Sequence, residues 1–317
     1  MGAIRFIPPL ANDTGGPASR KLDAISTSAL ARGAAEIQRG EPSSVLPQLA
    51  RGGTAGGAFP KALVVAYPDG TLSVGPPDGP GDPCLLKFDL SPRSDSIPTE
   101  HVYALMARAA GIRAVETRLI AEDRRTKRRH LLVRRFDIPS PQNASRRFHF
   151  HTVSGLLNRA PGNLDYRDLF RTAIRLHVAP GELRELARRM IFNVLASNHD
   201  DHGKNHAFLY DETDRTWSFT PAYDLTFSSG MLERGMTVCG EVWPASTTME
   251  SLCADAGLSR SEYRATFEQV STALNRWKRL AKQAEVPAPA ISEIADRHRQ
   301  IRERVDRTGG AVGSGKN

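Results

Sequence analysis

Apolar residues fall in short β-branched runs through the first half of the chain and recur at helical spacing through the second. Ala62-Leu63-Val64-Val65-Ala66-Tyr67 and Thr71-Leu72-Ser73-Val74 flank Pro68-Asp69-Gly70, whose proline and glycine supply turn dihedrals, so a hairpin is predicted there. Cys84-Leu85-Leu86-Lys87-Phe88 reads as the next strand, and Arg118-Leu119-Ile120 and His130-Leu131-Leu132-Val133 as two more. Between these, Thr99 can cap a helix in which Val102, Leu105, Met106 and Ala109 share one face, with Gly111 placed to end it. Residues 11–58 are rich in Gly, Ala, Ser and Pro and read as irregular, apart from a helix-like segment near Ala29 to Gln38.

After Val133 to Ile138 comes the polar break Pro139-Ser140-Pro141-Gln142-Asn143, and from about Phe148 the pattern is helical. Leu183, Leu186, Ala187, Met190, Ile191, Val194 and Leu195 form one stripe of a helix predicted from Glu182 to about Ala196. Trp217-Ser218-Phe219 reads as a short strand, and Phe267, Val270, Ala273, Leu274 and Trp277 as the face of a late helix. The expected class is α+β: an antiparallel-sheet half with one helix over residues 1–138, a helical half over 139–308, and a disordered tail over 309–317.

Composition narrows the setting. With 317 residues, 40% hydrophobic and 25% charged, the chain has room for two lobes, and it contains no apolar run near the ~18 residues needed to span a bilayer. Three scattered cysteines without Cys-x-x-Cys spacing argue against a disulfide framework or zinc site and fit a reducing cytoplasm. The net charge of +8 includes the run Arg124-Arg125-Thr126-Lys127-Arg128-Arg129. It lies between two strand patterns, which makes it a solvated hairpin tip before it is a nucleic-acid patch.

The densest chemistry is Asn198-His199-Asp200-Asp201-His202-Gly203-Lys204-Asn205, with Asp224 nineteen residues beyond Asn205. Phosphoryl transfer needs a base aimed at the acceptor hydroxyl, oxygen ligands for magnesium, and positive charge on the nucleotide phosphates. Asp200 is the candidate base, Asn205 and Asp224 are the candidate magnesium ligands, and Lys87 is the candidate phosphate contact. His202 or Lys204 could stabilise charge on the transferred group, and His202 could equally hold the loop by hydrogen bonds. The glycine cluster Gly52-Gly53-Thr54-Ala55-Gly56-Gly57-Ala58 could bring backbone N–H groups to phosphates, though it matches neither a P-loop nor Gly-x-Gly-x-x-Gly. A rival reading takes His199, Asp200, Asp201, His202 and His206 as ligands of a metal-dependent phosphohydrolase.

Six segments together resemble the HipA-like serine/threonine kinases, toxins of bacterial toxin–antitoxin modules. They are Gly2-Ala3-Ile4-Arg5-Phe6, Gly57-Ala58-Phe59-Pro60-Lys61-Ala62, Leu86-Lys87-Phe88, Val133-Arg134-Arg135-Phe136-Asp137, Asn198 to Asn205, and Thr220-Pro221-Ala222-Tyr223-Asp224-Leu225. The resemblance implies a two-lobed protein-kinase-like fold that uses ATP and Mg2+, with Asp200 as base and Asn205 and Asp224 on the metal. It further implies that Thr54, Ala55, Gly56, Gly57 and Ala58 lie over the phosphates, that Arg134, Arg135 and Phe136 contact adenine, and that Thr54 is a candidate for autophosphorylation. Arg134 stands where relatives commonly carry glutamate.

The implied partners are a protein substrate such as an aminoacyl-tRNA synthetase and a helix-turn-helix antitoxin, with DNA met only through the antitoxin. Because the Gly-Ala-Ile-Arg-Phe segment begins at Gly2, the chain is similar to shortened kinases whose N-terminal subdomain is a separate small protein, a truncated product being the alternative. A non-catalytic nucleotide- or partner-binding module is the reading of another class.

Overall fold

In a computed structural model, Pro68-Asp69-Gly70 turns the chain between β1 (Lys61–Ala66) and β2 (Leu72–Ser73). The Tyr67 N–H donates to Thr71 O at 2.9 Å, Asp69 Oδ1 accepts from the Thr71 N–H at 2.8 Å, and Gly70 takes the φ of 88° that the turn requires. The structure describes residues 26–41, 61–74, 81–90, 95–123, 126, 128–139, 147–228 and 234–310. The glycine cluster, the first 25 residues and much of the basic run lie outside them.

The chain divides into two units, one of residues 1–92 and 117–149, the other of 93–116 and 150–317. In the first, β3 (Asp82–Lys87), β4 (Thr117–Ala121) and β5 (Arg129–Arg134) join the hairpin in an antiparallel sheet of order β2-β1-β3-β5-β4. Its helix is α1 (Thr27–Gln38), capped by Ser26, whose Oγ accepts from the Ala29 N–H. Leu30, Ala31 and Ala34 pack into one core with Ala62, Val64, Cys84, Leu86 and Leu132. Small alanines allow a close approach, and the fully buried Leu30 contributes about 2 kcal/mol of transfer free energy.

The helix expected to accompany the sheet, α2 (Ser96–Ala109), groups with the second unit instead. It also starts earlier than a Thr99 cap allows. Asp95 is the cap residue, Pro98 sits in the first turn where no N–H is needed, and Thr99 is buried inside the helix. Its buried stripe is Val102, Tyr103, Met106, Ala107 and Ala110, with Leu105 and Ala109 only half-buried. The stripe turns toward Tyr103 because that hydroxyl has buried partners, Ala196 O at 2.6 Å and His298 Nε2 at 3.0 Å.

The second unit contains more strand than its apolar pattern predicts. β6 (His149–Thr152), β8 (Ala207–Asp211) and β9 (Thr216–Phe219) form a three-stranded sheet, and β7 (Leu164–Asp165) pairs in parallel with β10 (Met236–Thr237). These pieces are too short for periodicity to register. Around them lie α3 (Val153–Leu157), α4 (Tyr166–Arg175), α5 (Pro180–Leu195), α6 (Ser246–Asp255), α7 (Arg260–Leu274), α8 (Trp277–Gln283) and α9 (Ala288–Gly310). The late helix breaks at Asn275, so Trp277 opens α8, where its Nε1 donates to Ile291 O at 2.9 Å. α9 runs through Gly310, past the expected start of the tail at residue 309.

Candidate active site

α5 carries two stripes. The apolar one is as the sequence predicts from Leu186 to Leu195, with Leu183 only half-buried and the helix starting at Pro180 rather than Glu182, and beside it run Glu182, Glu185, Arg189 and Asn193, all buried. These polar groups hold the segment that leads to Asp224. Glu182 Oε2 accepts from the Phe219 N–H at 2.7 Å and from Arg113 at 2.6 Å, while Arg189 donates to Glu185 at 2.9 Å and to Thr220 O at 2.8 Å. Ala222 is then pinned by backbone bonds to Arg113 O and from the Val115 N–H. Asp224 follows with φ at 55°, a left-handed backbone held by these flanking bonds.

At its other end α5 enters the loop. Ser197 leaves the helix at φ 55°, and the Asn198 N–H closes on Asn193 O at 3.0 Å. The two consecutive aspartates then diverge. Asp201 is 1% exposed; its carboxylate accepts from the Tyr166 hydroxyl, pairs with His206 Nε2 at 2.6 Å, and lies 3.9 Å from Arg234 Nη2. Burial by itself would raise the Asp201 carboxyl, but His206, Arg234 and Tyr166 hold it below the usual carboxylate range. Burial and the Asp201 charge push the Tyr166 hydroxyl up, so it stays a donor, and Asn193 Nδ2 donates to it at 3.0 Å. Asp201 is therefore the loop's internal anchor. Asp200 has a side chain 54% exposed and is held by its backbone, whose N–H donates to Ser228 Oγ at 3.0 Å. Ser228 in turn donates its own N–H to Ser197 O at 3.3 Å, closing the loop across its mouth.

Asn205 is oriented from within the loop. Its Nδ2 donates to Asp200 O at 2.9 Å, which leaves Oδ1 as the amide's acceptor. The Tyr223 hydroxyl donates to Lys204 O at 2.7 Å, joining the residue before Asp224 to the residue before Asn205. A carbonyl and a carboxylate oxygen are the hard donors magnesium takes, with phosphate and water completing its shell. Lys204 itself is exposed. His202 places Nε2 4.0 Å from Asp200 Oδ1, while its buried Nδ1 has no hydrogen-bond partner among the described residues.

The histidines and aspartates of the loop do not converge on a metal. Among the described residues no group of three or more His, Cys, Asp or Glu side chains is arranged to hold one. His206 is committed to Asp201, and His199 packs edge-on against Trp243 at 4.9 Å and bonds Ser197 Oγ at 3.0 Å. That removes the geometric support for the hydrolase reading.

In the first unit, Lys87 is 9% exposed in β3. Arg134 lies 3.6 Å from Asp82, Arg135 forks onto Asp137 at 2.9 and 2.6 Å, and Phe136 is half-buried. Thr54, Ala55, Gly56, Gly57 and Ala58 lie outside the described residues. Tyr166, Asn193, Ser228 and Arg234 are site-building residues that sequence reading missed. Only Asn193 left a trace, as the last polar position of the second α5 stripe.

Residues 53–278 match the family model for the HipA-like C-terminal domain. No curated protein matches the chain. Among solved structures, HipA of a Shewanella oneidensis toxin–antitoxin system, determined with HipB and operator DNA, superposes with a TM-score of 0.66 at 17% identity, covering 96% of this chain and 75% of that one. The Helicobacter pylori proinflammatory kinase CtkA gives a TM-score of 0.51 at 11% identity, covering 83% of this chain and 95% of that one. The likeness shows a kinase-like α+β fold. No described helix is long and apolar enough to cross a membrane.

Proposed function

This chain belongs to the family of HipA-like C-terminal domains, and on that ground we propose that it is an ATP- and magnesium-dependent protein serine/threonine kinase, the toxin of a toxin–antitoxin module. The observation that carries the reading is the joined placement of Asp200, Asn205 and Asp224. Asn205 bonds the Asp200 backbone, and Tyr223 ties the Asp224 segment to Lys204.

In this reading the Asp200 carboxylate, free to reach solvent, takes the proton of an acceptor serine or threonine hydroxyl. Asn205 Oδ1 and the Asp224 carboxylate hold magnesium, which when bound neutralises charge on the phosphates. Lys204 adds positive charge beside the base, and His202 either donates to the transferred group or holds the loop by hydrogen bonds. Lys87 contacts the phosphates, and Arg134, Arg135 and Phe136 contact adenine. The acceptor is a translation-related protein such as an aminoacyl-tRNA synthetase, and the antitoxin is a helix-turn-helix protein that supplies the link to DNA. The Shewanella relative solved with HipB and its operator supports that partner class.

Autophosphorylation at Thr54 is part of the proposal, since added charge there opposes bound phosphates and gives an off-switch. Intact-mass measurement after incubation with ATP and magnesium tests it: one added phosphate that disappears in Thr54→Ala supports it, and an unmodified wild type removes it. A thermal shift with ATP together with labelled-phosphate transfer separates the enzyme from a non-catalytic binder, which shifts but transfers nothing.

A further inference from the structure

The second unit holds a cavity of about 430 Å3 between the end of α5 and helices α7, α8 and α9, within the ~300–1,000 Å3 of small-molecule sites. Its walls include Leu195, Leu274, Ala295 and the rings of Trp277 and His298, whose centroids stand 6.0 Å apart at 70°. Such walls suit a flat apolar body that can meet the rings edge to face. His298 adds a directional group. The Tyr103 hydroxyl gives its proton to Ala196 O at 2.6 Å, so His298 Nε2, 3.0 Å from that hydroxyl, is the donor of the pair. Burial keeps the ring neutral, which leaves Nδ1 as its acceptor. Charge among the lining residues is positive on balance, with Lys278, Arg299 and Arg302 against Glu303. Arg299 pairs with Asp296 at 2.9 Å, and Arg302 with Asp306 and Glu268 at 3.0 and 3.3 Å. The exposed Lys278 has no ion pair among the described residues.

We propose that this cavity is a second ligand site, separate from the phosphoryl-transfer loop, and that it takes a small hydroxyaryl carboxylate. The aryl ring lies against Trp277 and the leucines, the hydroxyl donates to His298 Nδ1, and the carboxylate stays at the opening beside Lys278. The inward end has to be a donor. An acceptor there would face a bare lone pair with no proton between them, and a buried carboxylate would add the cost of desolvating its charge. None of the lining residues belongs to the Asn198 to Asn205 loop or to the segment that carries Asp224.

Titration calorimetry of the full chain with para-hydroxyphenylpropionate, without nucleotide, tests the site. A saturable one-to-one isotherm is expected. Phenylpropionate, which lacks only the hydroxyl, binds about tenfold more weakly because Nδ1 is left buried and unpaired. Tyramine, which keeps the phenol and exchanges the anion for an ammonium, also binds about tenfold more weakly. Lys278→Met weakens para-hydroxyphenylpropionate about threefold, as befits an exposed charge pair. Ala295→Trp fills the cavity and abolishes binding. No saturable binding by the wild type, equal affinity for phenylpropionate, or binding that survives Ala295→Trp overturns the site. The ligand series needs no variant, so it decides even where Ala295→Trp fails to fold. No readout uses ATP or phosphoryl transfer, so failure here leaves the kinase reading standing.

Discussion

The Tyr223 hydroxyl donates to the carbonyl of Lys204 at 2.7 Å. One neutral hydrogen bond thus joins the chain segments that carry the two candidate magnesium ligands, with Asp224 next to the donor and Asn205 next to the acceptor. Burial, reinforced by the Asp224 charge, pushes the Tyr223 phenol up, so the bond keeps its donor at any pH the fold survives.

Tyr223→Phe removes that bond and keeps the ring. It is expected to cost about 1 kcal/mol of stability and to reduce phosphoryl transfer roughly tenfold, through a weaker response to magnesium. Magnesium titration of the transfer rate checks this; an unchanged magnesium dependence denies the link a role in the site.

Asp200→Asn and Asp201→Asn differ by one position and should behave as opposites. Asp201→Asn leaves the buried Arg234 without its carboxylate and is expected to destabilise by about 3 kcal/mol. Asp200→Asn, at a half-exposed side chain, should stay within about 0.5 kcal/mol of wild type. Denaturant unfolding of both variants checks the contrast.

Gly203→Ala should cost about 1–3 kcal/mol and disorder the loop. A Cβ there would run into Leu164 Cδ1 and stand 2.5 Å from Ser154 Oγ, whose backbone N–H already bonds Gly203 O. Unfolding midpoint and transfer rate should fall together.

Each unit contains a histidine that burial keeps neutral. His130 accepts the Asp89 N–H at Nδ1, His298 bonds Tyr103, and both are pulled down to about 4. An unfolded histidine titrates near 6.5, so between about pH 6.5 and 4 the unfolded chain binds protons that the native state refuses. Stability is then full above about pH 6.5 and falls as pH drops toward 4, by up to about 3 kcal/mol per histidine. Asp201, held low, adds its own loss only below the ordinary carboxylate range. Urea unfolding at pH 7, 5.5 and 4.5 should show the decline; a flat profile contradicts the assignment of both rings.

Hairpins and strands were legible because turn chemistry is local: Pro68-Asp69-Gly70 carries its own signal, and the β1–β2 and β4–β5 pairings follow from it and from alternation. Helix α2 misled at both levels, since Pro98 in a first turn looks like a break and Tyr103 counts as half polar until its buried partners are seen. The burial of the second stripe of α5 is illegible for a related reason. Glu182, Glu185 and Arg189 at helical spacing read as a solvent face, and only the β9 exit that they hold reveals otherwise. At the site, spacing singles out Asp200, Asn205 and Asp224. It cannot show that Asp201 is sequestered by Tyr166, or that Ser228 and Arg234, from stretches with no motif, close over the loop.

Phosphoryl transfer with Asp200 as base is tested by transfer of labelled γ-phosphate from ATP with magnesium by wild type and by folded Asp200→Asn. Labelled protein product is expected from the wild type, with a loss of at least about 100-fold in Asp200→Asn and the unfolding midpoint unchanged. Undiminished transfer by Asp200→Asn, or none by the wild type toward itself or any serine- or threonine-bearing protein, would contradict it.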